Sequence, residues 1–158
     1  MTGNAMETPL PVLRPHHILD MVRNIGLGRK LEPHPYGHRI HVLTRAILDD
    51  VDQTCTLVIG NDDVCGPCIH LHDGLCDDIL PQLEGRVSKQ GYNDRLDARI
   101  LDFLGIAPGS VMPISVYLRI VRANLEAVVD ICTHPGEDRE TRRSGLLKGF
   151  AVLGIGEP

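Results

Sequence analysis

The chain has 158 residues, 42% of them apolar and 23% charged, a size and composition that suit one globular domain with its own core and exclude wholesale disorder. Sixteen Lys and Arg against 21 Asp and Glu leave a net charge of −5, and with no Trp, three Tyr and two Phe this excludes nucleic acid as the expected partner. No apolar run approaches the roughly 18 residues of a membrane span, and 1–13 lacks a basic patch leading into an apolar stretch, so the expected setting is cytoplasmic, away from any membrane.

Residues 1–12, with Gly3, Pro9 and Pro11, read as a flexible lead-in to a single domain over 13–158. A helix is predicted after Pro15, with Ile18, Met21, Val22 and Ile25 at helical spacing and Gly26 and Gly28 to stop it. Two prolines and a glycine make 32–37 a loop; a second helix over about 37–51 shows Ile40, Leu43, Ile47 and Val51 on one face. The β-branched stretch 54–59, closed by Gly60-Asn61, reads as a strand, and 62–78 as a polar loop. A third helix is predicted over 93–104, with Asn93 as its cap, Asp94 and Asp97 complementing the dipole, and Leu96, Ile100 and Phe103 buried. A fourth follows Ser110 with Pro113 in its first turn and Ile114, Tyr117, Leu118, Val121 and Leu125 on its apolar face. The tail 145–156 is apolar but interrupted by glycines, suited to pack on the core or against a second copy of the chain, so a homo-oligomer is one candidate assembly. The expected fold class is mainly α with a minor β element (α+β), a compact helical domain around a cysteine-bearing loop.

That loop carries the strongest chemical signal. Cys65-Gly66-Pro67-Cys68 and then Cys76 place three thiols on one short segment, and the odd total of five cysteines speaks for metal or redox chemistry over a disulfide framework. Two cysteines separated by two residues can turn both sulfurs to one metal, and Gly66-Pro67 and Asp73-Gly74 suit the turns required. Asp62 and Asp63 oppose free thiolates, a penalty that a bound cation reverses. Zinc would take Cys65, Cys68 and Cys76 with His70 or His72; an iron–sulfur cluster would take the same thiolates with a fourth ligand from Cys132, Cys55, or an oxygen or imidazole. The spacing is near a zinc knuckle without matching one, and it does not choose between the two metals. Cys65-Gly66-Pro67-Cys68 also matches the thioredoxin active-site tetrapeptide, but Val64 stands where a tryptophan is usual and Asp73-Gly74 interrupts the helix that should follow.

A second cluster is Arg14-Pro15-His16-His17-Ile18-Leu19-Asp20. Paired histidines at a helix start stay neutral beside the positive dipole end, Asp20 one turn on can fix a tautomer, and Arg14 can hold an anion. His16, His17 and Asp20 are therefore the candidate catalytic residues. His34, His38 and His41 read as a solvated polar face. A short echo relates Asp63-Val64-Cys65-Gly66-Pro67-Cys68 to Asp130-Ile131-Cys132-Thr133-His134-Pro135 and favours Cys132 over Asp20 as the fourth ligand.

The run 14–19, then Gly60-Asn61-Asp62-Asp63-Val64-Cys65 with Cys68 and Cys76, then 94–109, occur in the order found in domain of unknown function 1284, which the chain resembles from about residue 13 to residue 147. The resemblance implies an iron–sulfur protein, with a four-iron, four-sulfur cluster as cofactor. In that family a cysteine commonly follows the His-His-aliphatic-aliphatic run, where this chain has Asp20, and a second cysteine-rich segment survives here as Cys132, with Pro135 and Arg142-Arg143 in place of further thiols. The resemblance implies one centre on Cys65, Cys68 and Cys76, to which the echo adds Cys132. That centre would serve electron transfer with a redox partner, or chemistry on a small-molecule substrate with His16 or His17 moving protons. A zinc-stabilised scaffold without catalysis and a thiol–disulfide oxidoreductase are the alternatives.

Overall fold

The computed structural model describes residues 10–157; the lead-in predicted for 1–12 lies outside them up to residue 9. Val12 is already structured, pairing in β1 (Val12–Leu13). The remaining elements in chain order are α1 (Pro15–Gly26), α2 (Ile40–Asp49), β2 (Thr54–Leu57), β3 (Leu71–His72), β4 (Leu75–Cys76), α3 (Lys89–Leu104), β5 (Val111–Pro113), α4 (Ile114–Ala123), α5 (Leu125–Cys132) and α6 (Arg139–Leu153). This is the α+β class that the sequence predicts. None of the described helices is long and apolar enough to cross a membrane.

Pro15 sits at the start of α1, where a missing N–H costs nothing, and Ile18, Leu19, Met21 and Val22 bury one face. At about 1.5–3 kcal/mol for each large side chain fully buried, that stripe anchors the helix in the core. α1 packs tightest on α6. The reason is glycine: a Cβ on Gly26 would stand 2.6 Å from the Gly149 nitrogen, and one on Gly149 would stand 2.7 Å from Val22 Cγ1. Gly145 and Gly149 in the apolar tail are thus contact points between two helices, and the tail packs on the core of its own chain. α6 starts well before this tail, with Asp138 accepting from the Thr141 N–H at 2.9 Å as its cap.

Three further boundaries differ from the sequence reading. α3 begins at Lys89, capped by Ser88 through the Gly91 N–H at 3.2 Å, so Asn93 lies inside the helix. Residues 111–113 form β5 on the edge of β2, and Pro113 caps α4 from outside. The apolar face expected of one fourth helix is divided between α4 and α5, which part at Asn124.

The three-stranded sheet has the order β1-β2-β5, with β1 parallel to β2 (Val12 beside Thr56, Leu13 beside Leu57) and β5 antiparallel. The parallel pair positions the site. Two adjacent parallel strands release their following segments at the same end. β1 releases the first turn of α1 with His16 and His17, and β2 releases the loop with Asp62, Asp63, Cys65 and Cys68. Segments about 45 residues apart in sequence therefore meet. Asp63 fastens them: its N–H donates to the Val12 carbonyl at 3.0 Å while its carboxylate accepts from the Val12 N–H at 2.8 Å.

Candidate functional site

The tetrapeptide Cys65–Cys68 is a turn, closed by the Cys68 N–H donating to the Cys65 carbonyl at 2.9 Å. It runs into the hairpin β3–β4, whose turn places Asp73 (φ 50°) and Gly74 (φ 78°) in the left-handed region and returns the chain at Cys76. No helix opens at Cys68, as a thioredoxin-like site would need. Cys65, Cys68 and Cys76 line one cavity of about 70 Å³, together with His17 and His70. His72 turns outward, 63% exposed and paired with Asp77 at 3.0 Å. His70 keeps its Nδ1 on Asp77 at 2.8 Å. Burial first, and then the Asp62 carboxylate, pushes the Cys65 thiol up to about 12, away from the reactive thiolate that exchange chemistry uses. Cys55 is wholly buried in β2 and burial pushes its thiol up to about 11, an ordinary core residue.

The paired histidines stand on carboxylates that are not Asp20. His16 Nδ1 and Asp97 Oδ1 are 2.8 Å apart, and the His16 N–H donates to the same oxygen at 2.9 Å. Arg14 completes this buried group, donating to Asp97 at 2.8 Å and to Asp94 at 2.8 Å. Arg14 is 1% exposed and committed to these carboxylates, so it is no free anion holder at the helix start. His17 Nδ1 meets Asp62 Oδ2 at 2.8 Å, an oxygen that also accepts from the Arg14 N–H at 2.7 Å. The two rings lie 4.4 Å apart between centroids. Burial, with the neighbouring His17, pushes His16 down and keeps it neutral. Burial alone would lower His17 too, but Asp62, together with Asp20 and Asp97, outweighs it and the net shift is upward.

Among the described residues, His17, Asp62 and Cys65 bring ligand atoms within 4.8 Å of one another. Both Asp62 oxygens are already used, Oδ2 by Arg14 and His17 and Oδ1 by the Val64 N–H at 3.1 Å. Asp62 is thus better placed to orient His17 than to hold an ion itself. The three cysteines surround their cavity without closing to that spacing.

Asp20 and Cys132 belong to another assembly. Arg142, fully buried on α6, donates to Asp20 at 2.8 Å and through Nε to Cys132 Sγ at 3.0 Å, and also to Glu137 at 3.1 Å. His134 Nε2 lies 3.3 Å from Asp20. Cys132 does not line the cavity of Cys65, Cys68 and Cys76, which corrects its reading as their fourth ligand. Burial alone would raise the Asp20 carboxyl, yet Arg142 and His134 hold it well below the usual range. The expected Asp20–histidine pairing is real, but the partner is His134. Where the resemblance suggests further thiols, at Asp20 and Arg142, the chain has a buried ion pair.

Several site residues were not singled out from sequence. Asp97 read as a dipole partner, although a carboxylate beside Leu96 and Ile100 on the apolar stripe of α3 is itself the mark of a buried pair. His38 read as solvated, yet it lines the thiol cavity and stacks on His34 at 4.1 Å. Lys89, Tyr92 and His134 carried no local signal. The fold and site define an α+β protein with a half-buried thiol–imidazole cavity at the end of a parallel strand pair. Comparison with protein-family models, curated proteins and solved structures finds no match.

Proposed function

We propose that the protein is an iron–sulfur protein whose centre is held by Cys65, Cys68 and Cys76, with the imidazole of His17 at the fourth side. The observation that carries this reading is the convergence of the three thiols and His17, from two segments released by neighbouring strands, on one small cavity. A single tetrahedral zinc with bonds of about 2.3 Å would draw its sulfurs to within about 4 Å of each other. Thiols that surround a cavity at wider spacing suit the corners of a cluster better.

When bound, such a cluster supplies one-electron chemistry or a Lewis-acidic iron. The chain's own residues supply the rest. Asp62 holds His17 by Nδ1 and leaves Nε2 for the cavity, and Val64, 3% exposed, forms part of the wall beside it. Asp97 holds His16 in the same manner, so that a neutral imidazole stands next to the centre as a proton acceptor. Resemblance to domain of unknown function 1284 supports a cluster on Cys65, Cys68 and Cys76, while His17 at the fourth side rests on the cavity alone. One observation favours zinc instead: His70, its Nδ1 fixed by Asp77, lines the cavity and would complete a three-cysteine, one-histidine site.

Anaerobic purification followed by iron, zinc and acid-labile sulfide analysis tests the proposal. Iron and sulfide in matching amounts with broad visible absorbance support it. Colourless protein holding one zinc per chain establishes the zinc centre in its place.

A further inference from the structure

Beside the thiol cavity lies a second hollow of about 350 Å³, and His17, His38, Val64, Lys89 and Asn93 line both. Half of its lining residues come from two helices, with Ile40 added by α2 and His38, Val64, Leu80, Gln82 and His134 by loops. The first turn of α1 presents His16 and His17, and α3 presents Lys89, Tyr92 and Asn93, which share a face at spacings of three and four residues. The lining mixes apolar surface from Ile40, Val64 and Leu80 with polar groups, and those polar groups are specific in charge. Asp20 is its one carboxylate, and it is already satisfied by Arg142 at 2.8 Å and His134 at 3.3 Å. Lys89 spends one donor on Asp78 at 3.2 Å, and an ammonium has three.

His16 gives the hollow its direction. It is 2% exposed, and its Nδ1–H points back at Asp97, so Nε2 is left as a lone pair with no protein partner. The ring of His134 stands 6.2 Å from that of His16, centroid to centroid. The two imidazoles meet edge to face and form one wall, and a hollow of this size suits a small polyatomic molecule, at the low end of ligand pockets, which begin at about 300 Å³.

We propose that this hollow binds a small hydroxyl-bearing anion, a hydroxycarboxylate or a phosphate monoester of similar size. Its anionic end rests on Lys89, Tyr92 and Asn93, and its hydroxyl donates to His16 Nε2. The inference deepens the reading of the metal centre: a molecule seated here abuts the thiol cavity across the imidazole of His17. The two can nevertheless fail separately, because no cysteine lines the hollow.

Isothermal titration of the purified protein with glycerate, glycerol 3-phosphate and neutral glycerol tests the proposal, with the ring nitrogen shifts of His16 followed by NMR. Binding of either anion, undetectable binding of glycerol and a shifted His16 Nε2 resonance are expected; the tighter of the two anions identifies carboxylate or phosphate as the recognised group. Lys89→Met should weaken the anion about tenfold, the loss of one charge-assisted hydrogen bond, while Arg95→Met leaves it unchanged. Equal affinity for glycerol, an unmoved His16, or indifference to Lys89→Met would overturn the proposal. The same titration in Cys65→Ser/Cys68→Ser/Cys76→Ser protein separates the two readings. Retained binding shows that the hollow works without the thiol centre, whereas metal-loaded wild type that binds neither anion refutes the hollow alone.

Discussion

Removing the Asp97 carboxylate should be among the most damaging single changes in this protein. Asp97 is fully buried and accepts three hydrogen bonds, from Arg14 at 2.8 Å, from the His16 N–H at 2.9 Å and from His16 Nδ1 at 2.8 Å. In Asp97→Ala the His16 N–H loses its partner and Arg14, itself 1% exposed, keeps Asp94 as its remaining carboxylate. Breaking one side of a buried pair costs about 3–5 kcal/mol. For a chain of this length that corresponds to a fall in Tm of roughly 6–20 °C, at about 2–4 °C per kcal/mol. Urea unfolding read by circular dichroism measures it, with the midpoint moving and the slope unchanged. Asp97→Asn keeps the shape and should cost less: its amide oxygen can still accept from both His16 donors, while its N–H₂ faces Arg14 and that hydrogen bond is lost. The double variant Arg14→Met/Asp97→Leu should lose less than Asp97→Ala, since no charge is then left buried alone. A loss under about 1 kcal/mol in Asp97→Ala would refute the view that this group holds the first turn of α1 in place.

Other consequences follow from neighbouring groups. Cys132→Ser should leave metal content at the wild-type level, measured by elemental analysis of anaerobic protein, because Cys132 lies with Arg142 and away from the thiol cavity. Gly149→Ala should cost about 3 kcal/mol in urea unfolding, at the upper end of overpacking losses, since the new methyl meets Val22 and the α1–α6 pair must part; a change within about 0.5 kcal/mol would contradict that packing. Asp20 has a folded pKa below its ordinary 3.8, so its ionised form contributes stability above that value and the contribution is lost as pH falls through the folded pKa. Below about pH 4 wild type should therefore lose stability more steeply than Asp20→Asn, which starts less stable at pH 7 with Glu137 as the one carboxylate left to Arg142. Parallel acid titrations followed by circular dichroism compare the two slopes, and equal slopes would contradict the Arg142 pairing.

Periodicity disclosed the helices whose apolar stripe is uninterrupted. Ile18, Met21 and Val22 mark α1 so plainly that only packing detail remained. α6 was hidden because Gly145 and Gly149 read as breakers, whereas their value is tertiary: they let another helix approach. β1 and β5 are two and three residues long and owe their extended state to pairing with β2, which no local pattern records. The site divides in the same way. Cysteine spacing named Cys65, Cys68 and Cys76, and the adjacency of His16 and His17 named the imidazoles. What sequence could not give was which carboxylate serves which ring. Asp20 is near in sequence, yet Asp97 and Asp62 take the two histidines because α3 and the loop after β2 pack onto the start of α1.

The central claim is that Cys65, Cys68 and Cys76 together hold an iron–sulfur centre beside His17. Iron and acid-labile sulfide per chain, measured in anaerobically purified wild type and in Cys65→Ser/Cys68→Ser/Cys76→Ser protein, test it most directly. The account predicts matched iron and sulfide in the wild type and neither in the variant. Wild type without iron, or a variant that retains the wild-type amounts, would contradict it.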